Sequence, residues 1–288
     1  MSALQRQWPA HWPDRVLLTT VPFFAQGDQL CGPASLAMVA QAAGRLVTPE
    51  QLTPQVYLPG RLGSLQVEML AAARRQGLVP YLLAPTLQAL LAEVAAGEPV
   101  LVLQNLSLPV SPMWHYAVVV GYDRVRREIV LHSGTTARLV MPLSTFEHTW
   151  ARSDHWAVRV SAPAQLPATA TAEGWASAVA ALERVDAGAA YTAWSTGLQR
   201  WPNDRFALLG LGNAAHGLGQ RERAARAYED ATRMHPDFAD AWNNLAQVRL
   251  ELGELPAARE AAARAVALGG PRLAAYQRLL ERVEQRMR

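Results

Sequence analysis

Apolar positions follow two different periods along this 288-residue chain. In CGPASLAMVAQAAG, Ala34, Leu36, Val39 and Ala42 form a helical stripe that Gly44 ends, so Cys31 stands at or just before a helix start. A second helix is predicted from Ser64, as N-cap, through Gln76 with Gly77 closing it, and a third over 86–96, ended by Gly97. The texture then changes. PVLVLQNL, HYAVVVGYD, EIVLHSG, ARLVMP and HWAVRV are short, rich in β-branched residues and separated by turn-like or polar breaks, which predicts strands of one mostly antiparallel sheet. A helical half followed by a sheet half is an α+β arrangement.

Periodicity fails in SAPAQLPATATAEG, where Pro, Ala, Ser and Thr predict a linker over 161–173. Beyond it the chain is rich in Ala, Leu and Arg, strongly helical, and repeats itself. Pro202-Asn203-Asp204 and Pro236-Asp237 lie 34 residues apart. Counted from Arg205, small or apolar residues fall at Leu208, Leu211, Gly212, Gly219, Ala224, Tyr228 and Ala231; counted from Ala239, Trp242, Leu245, Ala246, Gly253, Ala258, Ala262 and Ala265 answer them. A fainter copy holds Ala190, Trp194, Gly197 and Pro202 in register. This helix-turn-helix template resembles the tetratricopeptide repeat, with a helix from about Pro271 to Met287 covering the last apolar face. The predicted organisation is therefore an N-terminal extension (1–14), an α+β domain (15–160), the linker (161–173) and an all-α repeat superhelix (174–288).

Half of the residues are hydrophobic, enough for two domains with real cores. A formal net charge of +3 without a basic run gives no argument for nucleic acid. The N-terminal MSALQRQWPAHWPDRVLLTT has no apolar stretch of signal-peptide length, and no segment is long and apolar enough to predict a membrane span. That bounds the chain as given, which reads as cytoplasmic; removal of an export signal would leave the same sequence, with a periplasmic or membrane-anchored protein behind it. The one cysteine, Cys31, excludes an intrachain disulfide framework.

A nucleophilic thiol needs help from a helix N-terminus or a neighbouring imidazolium, and Cys31 has the first from its place in the pattern. Gly32 allows close approach to the thiol, and Pro33 suits a first helical turn whose free N–H groups can face a developing oxyanion. Gln26 could add a side-chain donor to the same place, with Gln29 as its competitor. His115 opens an apolar strand. The other histidines show no metal-ligand spacing such as His-Glu-x-x-His, so neither a metal nor a cofactor is expected. Trp114 could line a cleft, although core packing or a surface lid is the plainer expectation. The arginines of the repeats, such as Arg221, Arg223 and Arg226, read as a solvated face.

FFAQGDQLCGPASLAM, followed much later by WHYAVVVGYD, resembles the C39-like cysteine peptidases, papain-fold enzymes known from bacteriocin maturation and export in bacteria; a subset carries tetratricopeptide repeats after the catalytic domain. The resemblance implies a papain-like fold, Gln26 as oxyanion donor, Cys31 as nucleophile and His115 as its base. The family usually has an Asp on the strand after the histidine, and this sequence has LHSG instead. Ser133 occupies the approximate place, with His132 beside it and Asp123 at the far end of the histidine's strand. The implied function is hydrolysis of a peptide bond through a thioester, on a peptide or protein substrate, with the repeats holding a protein partner or delivering the substrate. Two other readings stay open: a degenerate module that binds peptides without cutting them, and a thiol acyltransferase or amidohydrolase on the same fold.

Overall fold

The computed structural model describes residues 8–25, 27, 30–107 and 110–288. They form two compact units, the first ending at Gly174 and the second spanning Trp175–Arg288.

The first unit is built on a seven-stranded antiparallel sheet. Its strands are β1 (Arg15–Leu17), β4 (Val79–Leu82), β5 (Val100–Asn105), β6 (Trp114–Asp123), β7 (Glu128–Ser133), β8 (Thr136–Pro142) and β9 (Ala157–Ser161), ordered β4-β9-β5-β6-β7-β8 with β1 paired to the far end of β6. A separate ribbon pairs β2 (Tyr57–Leu58) with β3 (Gly63–Ser64). The helices are α1 (Cys31–Ala42), α2 (Pro49–Val56), α3 (Gln66–Arg75), α4 (Leu87–Ala95) and α5 (Leu143–Ala151).

Helix α1 is central. Every residue from Gly32 to Ala40 is buried, so the apolar stripe read from the sequence understates a helix that is covered on all sides. Leu36, Met38 and Val39 share one core with Leu101 of β5, Val118 and Val120 of β6, and Val158 and Val160 of β9. This packing seats the N-terminus of α1, and therefore Cys31, against the start of β6.

The helix expected from Ser64 begins later. Ser64 belongs to β3, and α3 starts at Gln66 with Leu65 at its N-cap position and no side-chain cap. Ser64 instead lies against α1: a Cβ built on Gly32 would fall 2.3 Å from Ser64 Oγ, so only glycine fits there. The helix expected over 86–96 is α4, whose Thr86 accepts a hydrogen bond from the Ala89 N–H at 3.1 Å, an ordinary N-cap.

The segment read as a linker is laid along the first unit. The fully buried Glu93 carboxylate accepts from the backbone N–H of Ala168 (3.1 Å) and Thr169 (2.8 Å) and from the Thr169 hydroxyl (2.7 Å). The Tyr81 hydroxyl accepts from the Thr171 N–H at 3.2 Å. Composition alone does not reveal this, because the partners sit on α4 and β4, far away in sequence.

The second unit is helical throughout: α6 (Ala172–Glu183, which crosses the boundary), α7 (Ala187–Arg200), α8 (Arg205–Gly217), α9 (Arg221–Met234), α10 (Ala239–Glu251), α11 (Leu255–Leu268) and α12 (Leu273–Met287). Small residues at the repeat positions admit large neighbours. A Cβ on Gly212 would meet the Tyr228 ring at 2.3 Å, and one on Gly210 the Trp194 ring at 2.3 Å. Asn213, Asn244 and Tyr228 link successive repeats: Tyr228 donates to Asn213 Oδ1 at 2.8 Å, and Asn244 donates to the same oxygen at 3.0 Å. Helix α12 buries Tyr276, Leu279 and Val283 and turns its charged residues to solvent.

Candidate active site

A cleft of about 890 Å³ opens in the first unit, and Cys31, Ser64, Trp114, His115, Tyr116 and Gly134 are among its lining residues. Cys31 is the first residue of α1, and His115 the second of β6. Burial pushes the Cys31 thiol up, while backbone hydrogen bonds from Tyr116, Gly32 and Cys31 itself oppose the rise. The sulfur thus rests against the strand residue that follows His115, at the amide-rich end of a helix.

His115 Nε2 lies 2.8 Å from Ser133 Oγ. The register accounts for the meeting. Val118 pairs with His132, so Ser133 falls opposite Ala117 and diagonal to His115 on one face of the sheet. With Ser133 accepting from Nε2–H, Nδ1 is the ring nitrogen left free to take a thiol proton. Burial lowers the His115 pKa from its ordinary value. A neutral hydroxyl supplies no charge to offset that, whereas a carboxylate in its place would.

The two other candidates for a partner of His115 are occupied elsewhere. His132 points to the opposite face, as strand alternation requires. It is buried, accepts from the Arg138 N–H at 3.1 Å through Nδ1, and therefore donates through Nε2 to Val21 O at 3.3 Å. Asp123 lies eight residues from His115 at the other end of β6, about 27 Å away at roughly 3.4 Å per residue. There it caps the β6–β7 turn by accepting from the Arg126 N–H at 2.9 Å. Gln26 and its competitor Gln29 lie outside the described residues, although Gly27 lines the cleft.

Trp114 is half exposed on the cleft, in the place the sequence reading ranked below core packing. Two further side chains support the segment before His115. The buried Asn105 side chain accepts from the N–H groups of Ser107 (3.0 Å) and Met113 (2.9 Å), tying together both ends of the connection that leads into His115. Arg152 donates to the carbonyls of Asn105 (3.2 Å) and Ser107 (2.7 Å) from the other side. An amide ending an otherwise apolar run was the signal for Asn105; Arg152 offered none. Among the described residues, no group of three or more His, Cys, Asp and Glu side chains is placed to hold a metal ion, and no helix is long and apolar enough to cross a membrane.

Residues 18–158 match the Peptidase_C39 like family, and residues 209–272 match the tetratricopeptide repeat. The chain therefore joins a domain that matches C39-like peptidases to a run of helices that matches tetratricopeptide repeats. A putative C39-like peptidase from Bacillus anthracis is 19% identical, with a TM-score of 0.43, over 51% of this chain and 96% of its own. The Sgt2 TPR domain from Aspergillus fumigatus is 25% identical, with a TM-score of 0.37, over 40% of this chain and 78% of its own. The TPR2B domain of yeast Sti1, in a structure described as a pHsp70 complex, is 19% identical, with a TM-score of 0.38, over 40% of this chain and 97% of its own. No curated protein matches the chain.

Proposed function

We propose that the first unit is a cysteine peptidase in which Cys31 attacks the scissile carbonyl, His115 takes and returns the proton, and Ser133 orients the imidazole. The observation that carries this reading is the 2.8 Å contact between His115 Nε2 and Ser133 Oγ, in a cleft that also holds the helix-terminal thiol. The Cys31 backbone N–H at the start of α1 is suited to a developing oxyanion, with Gln26 as the side-chain donor. The thiol proton passes to Nδ1 as the sulfur–carbon bond forms, and the same proton goes to the leaving amine. Water then hydrolyses the thioester, with His115 as base again. The repeats serve to hold a protein partner or the substrate, as stacked helix pairs commonly do.

A second reading, a peptide-binding module without catalysis, is favoured by one feature: among the described residues His115 hydrogen-bonds a hydroxyl rather than a carboxylate, while burial raises the thiol and lowers the imidazole. Rates of Cys31 alkylation by iodoacetamide separate the two. In a peptidase, His115→Ala slows labelling at neutral pH by about tenfold or more, since positioned bases typically contribute ~10²–10⁴. Equal rates in the wild type and the variant, both those of an ordinary buried thiol, would leave the binding module as the better account.

A further inference from the structure

Large apolar side chains left exposed one at a time are ordinary on protein surfaces, but several gathered on one cleft mark a binding site. Leu62 is 62% exposed, Leu65 41%, Met113 60% and Trp114 51%, and all four line the cleft that holds Cys31 and His115. They come from two separate stretches of chain, one flanking β3 on both sides and the other leading into and opening β6. Leu62 is also held in the left-handed region at φ 50°, between Gly60 and Gly63, although glycine would adopt that conformation with less strain. An outlier of this kind at a site is a reason to ask what its side chain does. Here it presents an isobutyl group to the cleft.

The charged lining residues carry no single sign that would set one charge preference. Arg61 and Asp154 are opposite in sign, and Arg152 is engaged with the carbonyls of Asn105 and Ser107. The volume, about 890 Å³, lies towards the upper end of the ~300–1,000 Å³ typical of ligand clefts. An occupant that reaches Cys31 with a carbonyl therefore passes the apolar side chains of Leu62, Leu65, Met113 and Trp114 as well as polar lining residues.

We propose that this cleft selects peptide segments bearing bulky apolar side chains next to the residue presented to Cys31, with Leu62 and Leu65 receiving one side chain and Met113 and Trp114 another. The proposal rests on reading the cleft as a peptidase site, but it is a statement about binding and is tested without the reaction. The full chain carrying Cys31→Ala is titrated into short fluorescein-labelled Gly/Ser peptides that differ only in two central residues: Leu and Phe, Asp and Asp, or Ser and Ser. Fluorescence anisotropy should show the Leu/Phe peptide binding about tenfold or more tightly than the other two, the order expected for partial burial of two such side chains. Adding Leu62→Ser or Trp114→Ser should remove most of that preference; both positions are exposed, and an unchanged thermal midpoint verifies the fold. Equal affinities, no binding by any of the three, or a preference that survives both substitutions overturns the proposal, the last by placing apolar recognition elsewhere on the chain. Because the protein titrated lacks the thiol, this outcome is independent of whether Cys31 is a working nucleophile.

Discussion

Ser133→Asp places a carboxylate where His115 now meets a hydroxyl, and the structure sets the size of the effect. Two unit charges about 4 Å apart at an effective dielectric constant near 20 attract by about 4 kcal/mol. His115 and Ser133 are only partly buried, so desolvating the new carboxylate returns a sizeable part of that, leaving on the order of 2 kcal/mol in favour of the imidazolium. At 1.36 kcal/mol per factor of ten, the thiolate–imidazolium form of the Cys31–His115 pair should rise about thirtyfold relative to the neutral pair. The direction is fixed by sign: a nearby anion favours protonated His115, protonated His115 favours the Cys31 thiolate, and the thiolate is the species that alkylates. Iodoacetamide labelling followed by intact-mass spectrometry at mildly acidic pH should therefore be faster in the variant by roughly tenfold or more. A rate unchanged or lowered, in a variant with the circular dichroism spectrum and thermal midpoint of the wild type, would refute the argument that Ser133 faces the working imidazole.

Two other outcomes follow from particular contacts. Burial lowers the His115 pKa, so the imidazole stays neutral, and able to accept a proton, to a lower pH than an exposed histidine; the acid limb of kcat/KM on a peptide substrate should fall below the usual imidazole range and should move to higher pH in Ser133→Asp. Gly210→Ala would drive a methyl group to 2.3 Å from the Trp194 ring, an overpacking that costs about 1–3 kcal/mol; denaturant unfolding should show the loss, while iodoacetamide labelling of Cys31 in the other unit keeps its rate.

The parts of the fold that sequence discloses are those whose signal is local. The β-branched runs from Val100 to Ser161 became β5 to β9, and the spacing between Pro202 and Pro236 became the repeat, because both patterns are written in consecutive residues. Helix α2 was missed, although Thr48, Pro49 and Gln51 spell a capping box with Pro at the first turn, and the structure forms both reciprocal hydrogen bonds. The two-residue strands β2 and β3 are too short to carry a period, and Ser64, a cap residue by type, pairs in β3 while Leu65 takes the N-cap position. In the site, Cys31 and His115 could be singled out because each begins an element with a marked pattern. The role of Ser133 against His132 could not be settled from the chain, because it depends on which face of β7 meets His115, and a shift of one residue in register exchanges the two. The apolar lining of the cleft is likewise invisible in sequence, where Leu62 and Trp114 stand more than fifty positions apart.

The central claim, that Cys31 cuts peptide bonds with His115 as its base, is tested most directly by product analysis. The full chain is incubated with a peptide library, and newly formed N-termini are identified by mass spectrometry for the wild type, Cys31→Ala and His115→Ala. The account predicts new peptide N-termini with the wild type alone, formed next to bulky apolar residues. Intact peptides in all three digests, or peptides modified at existing amines without any new N-terminus, would contradict it.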